Sequence, residues 1–361
     1  MAESDVARGN GDARLEALHD QLVNAVDGLV SSDDWRRAIE FAARFRSRSF
    51  NNTLLIWAQH AAAYTAGRVP EPAPTYVAGF RQWQQLNRSV EKGQSGYMIQ
   101  APVTARYATP TPQVSESWRR LGRAEKPRLG EIVRSRMIGV KPAYVWDVSQ
   151  TAGDAVPERP SPRLLQGAAP EGLWDGIAAQ IHDRGFRIER VADAQTIRGA
   201  NGLTDYTTRT VSVRTDMDDA AQAKTLTHEL AHVMLHGPDN PEATAHRGIG
   251  EVEAESVALM VGAAHYLDTS SYTIPYVASW ATSVEGKTAT EVVQATGERV
   301  RAIAVTILDN LPTMQAGDGD PPGLLRETPT PERPRRELTP MTRNGAASSP
   351  PMVSSPRSLG L

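Results

Sequence analysis

Thr225-Leu226-Thr227-His228-Glu229-Leu230-Ala231-His232-Val233-Met234-Leu235-His236 decides how the second half of this chain folds. Within it, residues 228–232 read His-Glu-x-x-His. On a helix, positions i and i+4 lie one turn apart on the same face, so His228 and His232 can aim two imidazoles at one ion. Glu229 sits beside the first histidine, where it can reach a water near that ion and take its proton. Leu226, Leu230, Val233 and Met234 are apolar at helical spacing, which predicts a buried helix over about 220–236. Two histidines on a buried helix need partners.

A partner follows. Glu251-Val252-Glu253-Ala254-Glu255-Ser256-Val257-Ala258-Leu259-Met260 is a second helical stretch, 19 residues beyond His232. Gly237, Pro238, Pro241, Gly248 and Gly250 between them let the chain reverse. A catalytic zinc takes three protein ligands and keeps a fourth position open. Glu251 is the expected third ligand, with Glu253 as the alternative. Glu251 and Glu255 share a helix face, so Glu255 is expected to accept a histidine N–H and fix its tautomer. His236 lies one turn too far along to bind the same ion and reads as an outer or structural residue. His246 is a substitute ligand if Glu251 is not one. Tyr272 and Tyr276 serve equally as oxyanion donors or as packing residues. Two histidines and a carboxylate suit Zn2+ and also accept Mn2+ or Co2+.

The composition excludes several classes. The 361 residues are enough for two domains and a tail. There is no cysteine, so disulfides and thiolate-bound zinc are out. No apolar run reaches membrane-spanning length, and the acidic start Met1-Ala2-Glu3-Ser4-Asp5 does not resemble a secretion signal. These features predict a cytoplasmic protein without membrane partners. The net charge of −3 hides an asymmetry. Residues 31–150 hold 18 Lys and Arg against 9 Asp and Glu; residues 164–312 hold 11 against 20. The basic half is the candidate for nucleic acid.

In that half, Leu15, Leu18, Leu22, Val26 and Leu29 repeat at helical spacing from Ala13 onward. Ser31-Ser32-Asp33-Asp34 reads as an N-cap, and a third helix starts near Ser49. After a turn at Pro70, Pro72 and Pro74, a short helix is expected at 79–86. An apolar strand follows at 97–103, then a polar loop or insertion at 107–130, then strands at 137–140 and 143–148. Single-stranded DNA sites pair cations for phosphates with rings for unstacked bases. Arg44, Arg46, Arg48, Arg81, Arg88, Lys92 and Lys141 supply charge, Asn51, Asn52 and Gln82 supply amides, and Phe50, Tyr76 and Trp83 supply rings. Trp57 and Phe80, among apolar neighbours, read as core. In the acidic half, a helix is expected at 170–184 and strands at 186–191, 200–203 and 205–214, the last along the rim of the cleft. Helices at 274–282 and 288–311 follow.

Several stretches resemble the ArdC-type antirestriction proteins, whose C-terminal zincin domain is related to the ImmA/IrrE-like metallopeptidases. They are Phe50-Asn51-Asn52-Thr53-Leu54-Leu55-Ile56-Trp57-Ala58-Gln59, Val77-Ala78-Gly79-Phe80-Arg81-Gln82-Trp83, Val90-Glu91-Lys92-Gly93-Gln94-Ser95-Gly96 and Asp147-Val148-Ser149-Gln150-Thr151. The His228–His236 stretch and Glu251–Val261 belong to the same resemblance, as does Asp268–Trp280. It covers roughly residues 15–150 and 165–310. The resemblance implies an α+β fold with an ssDNA-binding domain at 13–151, a linker at 152–163 and a gluzincin-like zinc metallopeptidase domain at 164–312. Residues 1–12 and a Pro/Ser-rich tail at 313–361 are expected to be disordered. It implies a protein that shields incoming DNA or cleaves DNA-associated proteins. The alternative is an ssDNA-coating protein whose metal site is structural or regulatory.

Overall fold

The computed structural model describes residues 2–29, 31–156, 167–238, 247–270, 272, 277–282 and 284–324. Most of the linker, His246, Tyr276 and the segment 325–361 of the expected tail lie outside these residues.

The chain opens with α1 (Ala2–Asp27), which starts well before the Ala13 read from the sequence. α2 (Ser32–Arg44) begins where the sequence provides a reciprocal cap. Ser31 Oγ accepts from Asp34 N, and the Asp34 carboxylate accepts from Ser31 N. Ser49 caps α3 (Phe50–Thr65) one way only, its Oγ accepting from Asn52 N. Then come β1 (Val77–Gly79), α4 (Phe80–Gln85), β2 (Arg88–Val90), β3 (Tyr97–Thr109), β4 (Arg119–Arg120), β5 (Ile132–Asp147) and β6 (Thr151–Gly153). One antiparallel sheet runs β1-β5-β3-β4, and β2 pairs with β6.

The two strands expected at 137–140 and 143–148 are one strand, β5, paired with β3 from Ile132 to Val145. An irregularity between Val103 and Thr104 absorbs one residue. β3 and β5 therefore continue past β1 as a long ribbon; of the segment expected to be loop, only the end of β3 and the two-residue β4 are strand, and the rest connects β3 to β5. Pro142 sits in the strand without interrupting the pairing, opposite Gln100.

The second half holds α5 (Leu173–Asp183), β7 (Arg187–Val191), β8 (Gly202–Asp205), β9 (Thr210–Arg214), α6 (Asp219–Leu235), α7 (Arg247–Ala264), α8 (Val277–Ala281) and α9 (Ala289–Asp309). Its sheet has the order β7-β9-β8, with β7 parallel and β8 antiparallel to the central β9. The strand expected at 205–214 is broken by a tight turn. Asp205 Oδ1 accepts from Thr207 N and Thr208 N, and Arg209 takes a left-handed φ of 51°. The edge strand beside the cleft is thus β8, while β9, the rest of the strand expected there at 205–214, is central in the sheet.

The two halves meet in one core. A single cluster of buried side chains runs from Leu18 and Trp35 through Phe50, Leu226 and Leu259 to Val300 and Leu311. Trp35 is fully buried; its Nε1–H donates to Ser256 Oγ on α7 at 2.9 Å, and its ring meets Trp280 edge-on at 5.2 Å. Phe50 N donates to Glu298 Oε2 on α9 at 2.8 Å. The start of the expected tail belongs to this unit as well. Gly319 O accepts from Val77 N at 2.9 Å, Ala316 O accepts from Arg46 at 2.8 Å, and Asp320 pairs with Arg48 at 2.7 Å. A segment poor in apolar residues is held there because donors from the first half satisfy its backbone.

Candidate metal centre and nucleic-acid surface

α6 carries the centre. Asp218 caps it, accepting from Ala221 N at 2.8 Å, and Leu226, Leu230 and Ala231 bury one face completely. That anchoring turns His228 and His232 toward α7. Their Nε2 atoms stand 3.0 Å apart. Glu251 brings one carboxylate oxygen to 3.5 Å from His228 Nε2 and the other to 3.6 Å from His232 Nε2. Two imidazole lone pairs cannot face each other at 3.0 Å unless a positive charge, a proton or a metal ion, lies between them. Tetrahedral zinc at 2.0–2.1 Å from N and O donors sets neighbouring donors about 3.3 Å apart. The observed spacings bracket that value, so the three residues fit such an ion. Among the described residues, these three form the group of His and carboxylate donors close enough to hold one metal.

The electrostatics agree. Burial pushes His228 toward the neutral form, but hydrogen bonds to Glu251 and Glu255 outweigh it and raise its pKa to about 9. His228 and His232 together hold Glu251 well below the usual carboxylate range. The carboxylates that raise His228 in this way make the gap a place of negative potential, suited to a cation.

Glu229 is buried on the neighbouring strand's side of α6. Its Oε2 accepts from Thr204 Oγ1 of β8 at 2.6 Å. β8 passes so close that a Cβ on Gly202 would lie 2.6 Å from Glu229 Oε1 and 2.7 Å from Thr225 Cγ2; only glycine fits there. His228, Glu229, His232 and Glu251 line one cleft of about 700 Å³ with Ala200–Thr204, Tyr206, Lys224 and Glu255. Tyr206 Oη–H donates to His232 O at 2.7 Å. Burial, with Glu229 and Glu251 nearby, pushes the Tyr206 phenol up to about 12, so it stays protonated. The sequence alone does not single out Tyr206, because no spacing rule links a strand end to a helix 20 residues on. Tyr272, one of the two phenols that it does single out, is buried and donates to Ala258 O at 3.1 Å.

The outer contacts come from the remaining charged residues of the two helices. His228 Nδ1 lies 3.2 Å from Glu255 Oε2, and Lys224 Nζ lies 2.9 Å from Glu255 Oε1. His232 Nδ1 lies 2.9 Å from His236 Nδ1, and His236 Nε2 lies 2.9 Å from Glu253 Oε2. Glu253 is thus turned to His236, away from the ion-sized gap that it could have lined as the alternative ligand.

The residues expected to touch DNA are scattered by the fold. Arg44, Arg81 and Lys92 are exposed. Arg46 donates to the carbonyls of Ala43, Ala316 and Gly317, and Arg48 to Val77 O and Asp320. Arg88 donates to Thr151 Oγ1 and to the carbonyls of Val148 and Thr151. Asn52 is buried, with its amide paired to both backbone groups of Gln100. Asn51 is half-buried. Trp83 is fully buried, its Nε1–H donating to Trp146 O at 3.0 Å, so it cannot stack on a base. Phe80, read as core, is 47% exposed instead. The six-residue helix α4 is rotated so that Trp83 rather than Phe80 enters the sheet's core. Periodicity cannot fix the rotation of so short an element.

The ribbon offers what the helices do not. Arg134 and Arg136 lie over the Trp118 ring at 5.3 and 5.6 Å, and Arg136 also lies over Tyr107 at 5.7 Å. Arg120 on β4, Arg123, Lys126 and Arg128 in the connection to β5, and Lys141 on β5 are exposed. Arg119, in contrast, is locked in acidic pairs, with Glu125 and Glu131 at 2.5 and 2.8 Å.

Residues 13–141 match the family described as the N-terminal domain of anti-restriction factor ArdC. The chain carries an ArdC N-terminal domain. The match runs through the segment read as an insertion, so the basic ribbon lies inside the ArdC domain. The chain is also 24% identical, over 285 residues, to an uncharacterized protein of Bacillus anthracis; the aligned part is 73% of this chain and 46% of that protein. It therefore spans about half the length of that relative. Among solved structures, it is similar to the metal-free antirestriction protein ArdC from plasmid R388, at 19% identity and a TM-score of 0.46, covering 81% of this chain and 97% of that one. The Mn(II)-bound form of the same protein matches at 18% identity and a TM-score of 0.41, over 73% and 88%.

Proposed function

We propose that this chain is an ssDNA-binding antirestriction protein with a metal-dependent, peptidase-like centre. The observation that carries the second part is the convergence of His228, His232 and Glu251 beside a buried glutamate, Glu229, in one open cleft. A bound Zn2+, or Mn2+ or Co2+, would supply Lewis acidity toward a water and a scissile carbonyl. The chain's own residues do the rest. Glu229, held at one oxygen by Thr204, takes the water's proton and returns it to the leaving amine. β8 borders the cleft as an edge strand, where a peptide can lie extended beside it. The ArdC domain supports the first part. Its cationic surface would hold the strand and raise the local concentration of proteins bound to the same DNA.

The test compares wild type with Glu229→Gln in two assays: fluorescence titration of ssDNA, and protection of incoming plasmid DNA from a restriction system in cells. The expected result is unchanged DNA affinity with protection lost. Full protection by Glu229→Gln would overturn the peptidase reading in favour of a protein that shields DNA by coating it.

A further inference from the structure

We propose that His236, Glu253 and Arg299 are positioning residues that fix the tautomer of His232 and so keep its Nε2 lone pair facing the ion. This rests on the metal-centre reading above, and it concerns residues outside the ligand set.

The relay runs inward from the surface. Arg299 on α9 is a permanent cation. Its Nε donates to Glu253 Oε1 at 2.5 Å, and Thr296 Oγ1 accepts from its Nη2 at 3.3 Å. Glu253 is nearly buried, its side chain 6% exposed, and lies between the Arg299 guanidinium and the His236 ring. Held between a guanidinium that can only donate and an imidazole, the carboxylate accepts on both sides, so His236 Nε2, 2.9 Å from its other oxygen, is the donor. A neutral His236 protonated at Nε2 has its lone pair at Nδ1. That atom faces His232 Nδ1 at 2.9 Å, so His232 must donate there. With its proton on Nδ1, neutral His232 presents an unprotonated Nε2 to the gap between His228 and Glu251.

His228 is served by a shorter route of the same kind. Lys224 holds Glu255, and Glu255 accepts from His228 Nδ1. The two ligand histidines are thus oriented by two carboxylates, each anchored by its own cation. The longer route uses a histidine as a spacer because His236 is the next residue on the same helix face and Glu253 is turned away from the ligands.

Glu253→Gln keeps the size of the side chain but replaces an obligate acceptor with a group whose amide can donate to His236 Nε2. That reverses both hydrogen bonds and puts the proton of His232 on Nε2. The experiment uses the full chain in two measurements: Zn2+ and Mn2+ affinity by chelator competition, and nitrogen NMR of ¹⁵N-histidine-labelled, metal-free protein. In wild type, His236 is expected as the Nε2–H tautomer and His232 as the Nδ1–H tautomer. Glu253→Gln should weaken metal binding by about 10- to 100-fold, as removing a group that orients a metal-binding histidine generally does, and should show both tautomers reversed. If wild type binds metal and Glu253→Gln binds it equally, the relay is overturned and the metal centre stands. If wild type binds neither metal but shows the two tautomers, the relay stands and the metal centre falls. Wild-type tautomers opposite to these overturn the relay whatever the metal result.

Discussion

Gly297→Ala tests whether the ArdC domain and the metal-site half share one core. In an exposed helix, replacing glycine by alanine stabilises by about 1 kcal/mol. Gly297 is buried on α9, against Phe50 of α3. A Cβ built there would have three carbons of the Phe50 ring, Cδ1, Cε1 and Cζ, no farther than 2.7 Å away, with Cε1 and Cδ1 the nearest. Ordinary carbon contacts lie at about 3.5–4.0 Å, so the ring must move by more than about 1 Å. It has nowhere to go: Phe50 is fully buried, with Trp35 at 5.7 Å between centroids and Trp35 itself wedged against Trp280. Overpacking of this kind costs about 1–3 kcal/mol, and an approach this close belongs at the upper end. Subtracting the helix gain leaves a net loss of about 2 kcal/mol. At about 2 °C per kcal/mol for a unit of this size, the melting temperature falls by roughly 4 °C. Differential scanning calorimetry on the full chain reads it. Phe50→Leu in the same background should recover part of the loss, because the two side chains compete for one space. An unchanged or higher melting temperature for Gly297→Ala would show that helix propensity alone acts there and that α3 does not press on α9.

Two further outcomes follow from the charged groups. Replacing the exposed cations Arg120, Arg123, Lys126 and Arg128 by glutamine should weaken ssDNA binding and flatten its salt dependence by about 0.7 for each phosphate that is no longer neutralised; Arg48→Ala should instead lower the melting temperature, because it removes the ion pair to Asp320 and the hydrogen bond to Val77 O, and an unaltered salt slope for the first variant would remove that surface. In chelator-treated protein, the His228 pKa is raised to about 9, so the stability it adds is fully present below about 6.5 and is lost as pH rises through 9; thermal melts from pH 6 to 10 should show a fall of up to about 3 kcal/mol that Glu251→Gln reduces, and a flat profile would refute the proton-holding geometry.

Much of the candidate metal centre was legible in the chain because helical spacing is local. His228 and His232 are four apart, Glu251 and Glu255 are four apart, and a turn of glycines and prolines between the two helices brings one pair to the other. The cap at Asp218 and the apolar face at Leu226 and Leu230 also follow from short-range rules. What lies between helices was not legible. That Glu253 reaches His236 depends on how α7 is rotated against α6, and that Arg299 completes the network depends on α9, 46 residues farther along. Tyr206 enters the cleft only because a turn at Asp205 splits one expected strand into a hairpin.

The DNA side shows the same limit more sharply. The sequence by itself determined that the first half is basic, carries aromatic residues among its cations and matches a known domain. It could not determine which cations face water. An arginine beside a helix end reads the same whether its guanidinium meets a phosphate or a carbonyl of its own chain. Only the tertiary structure turned Arg46, Arg48, Arg88 and Trp83 inward and lifted the ribbon cations outward, because buried carbonyls, wherever the chain places them, must be matched by the nearest donors.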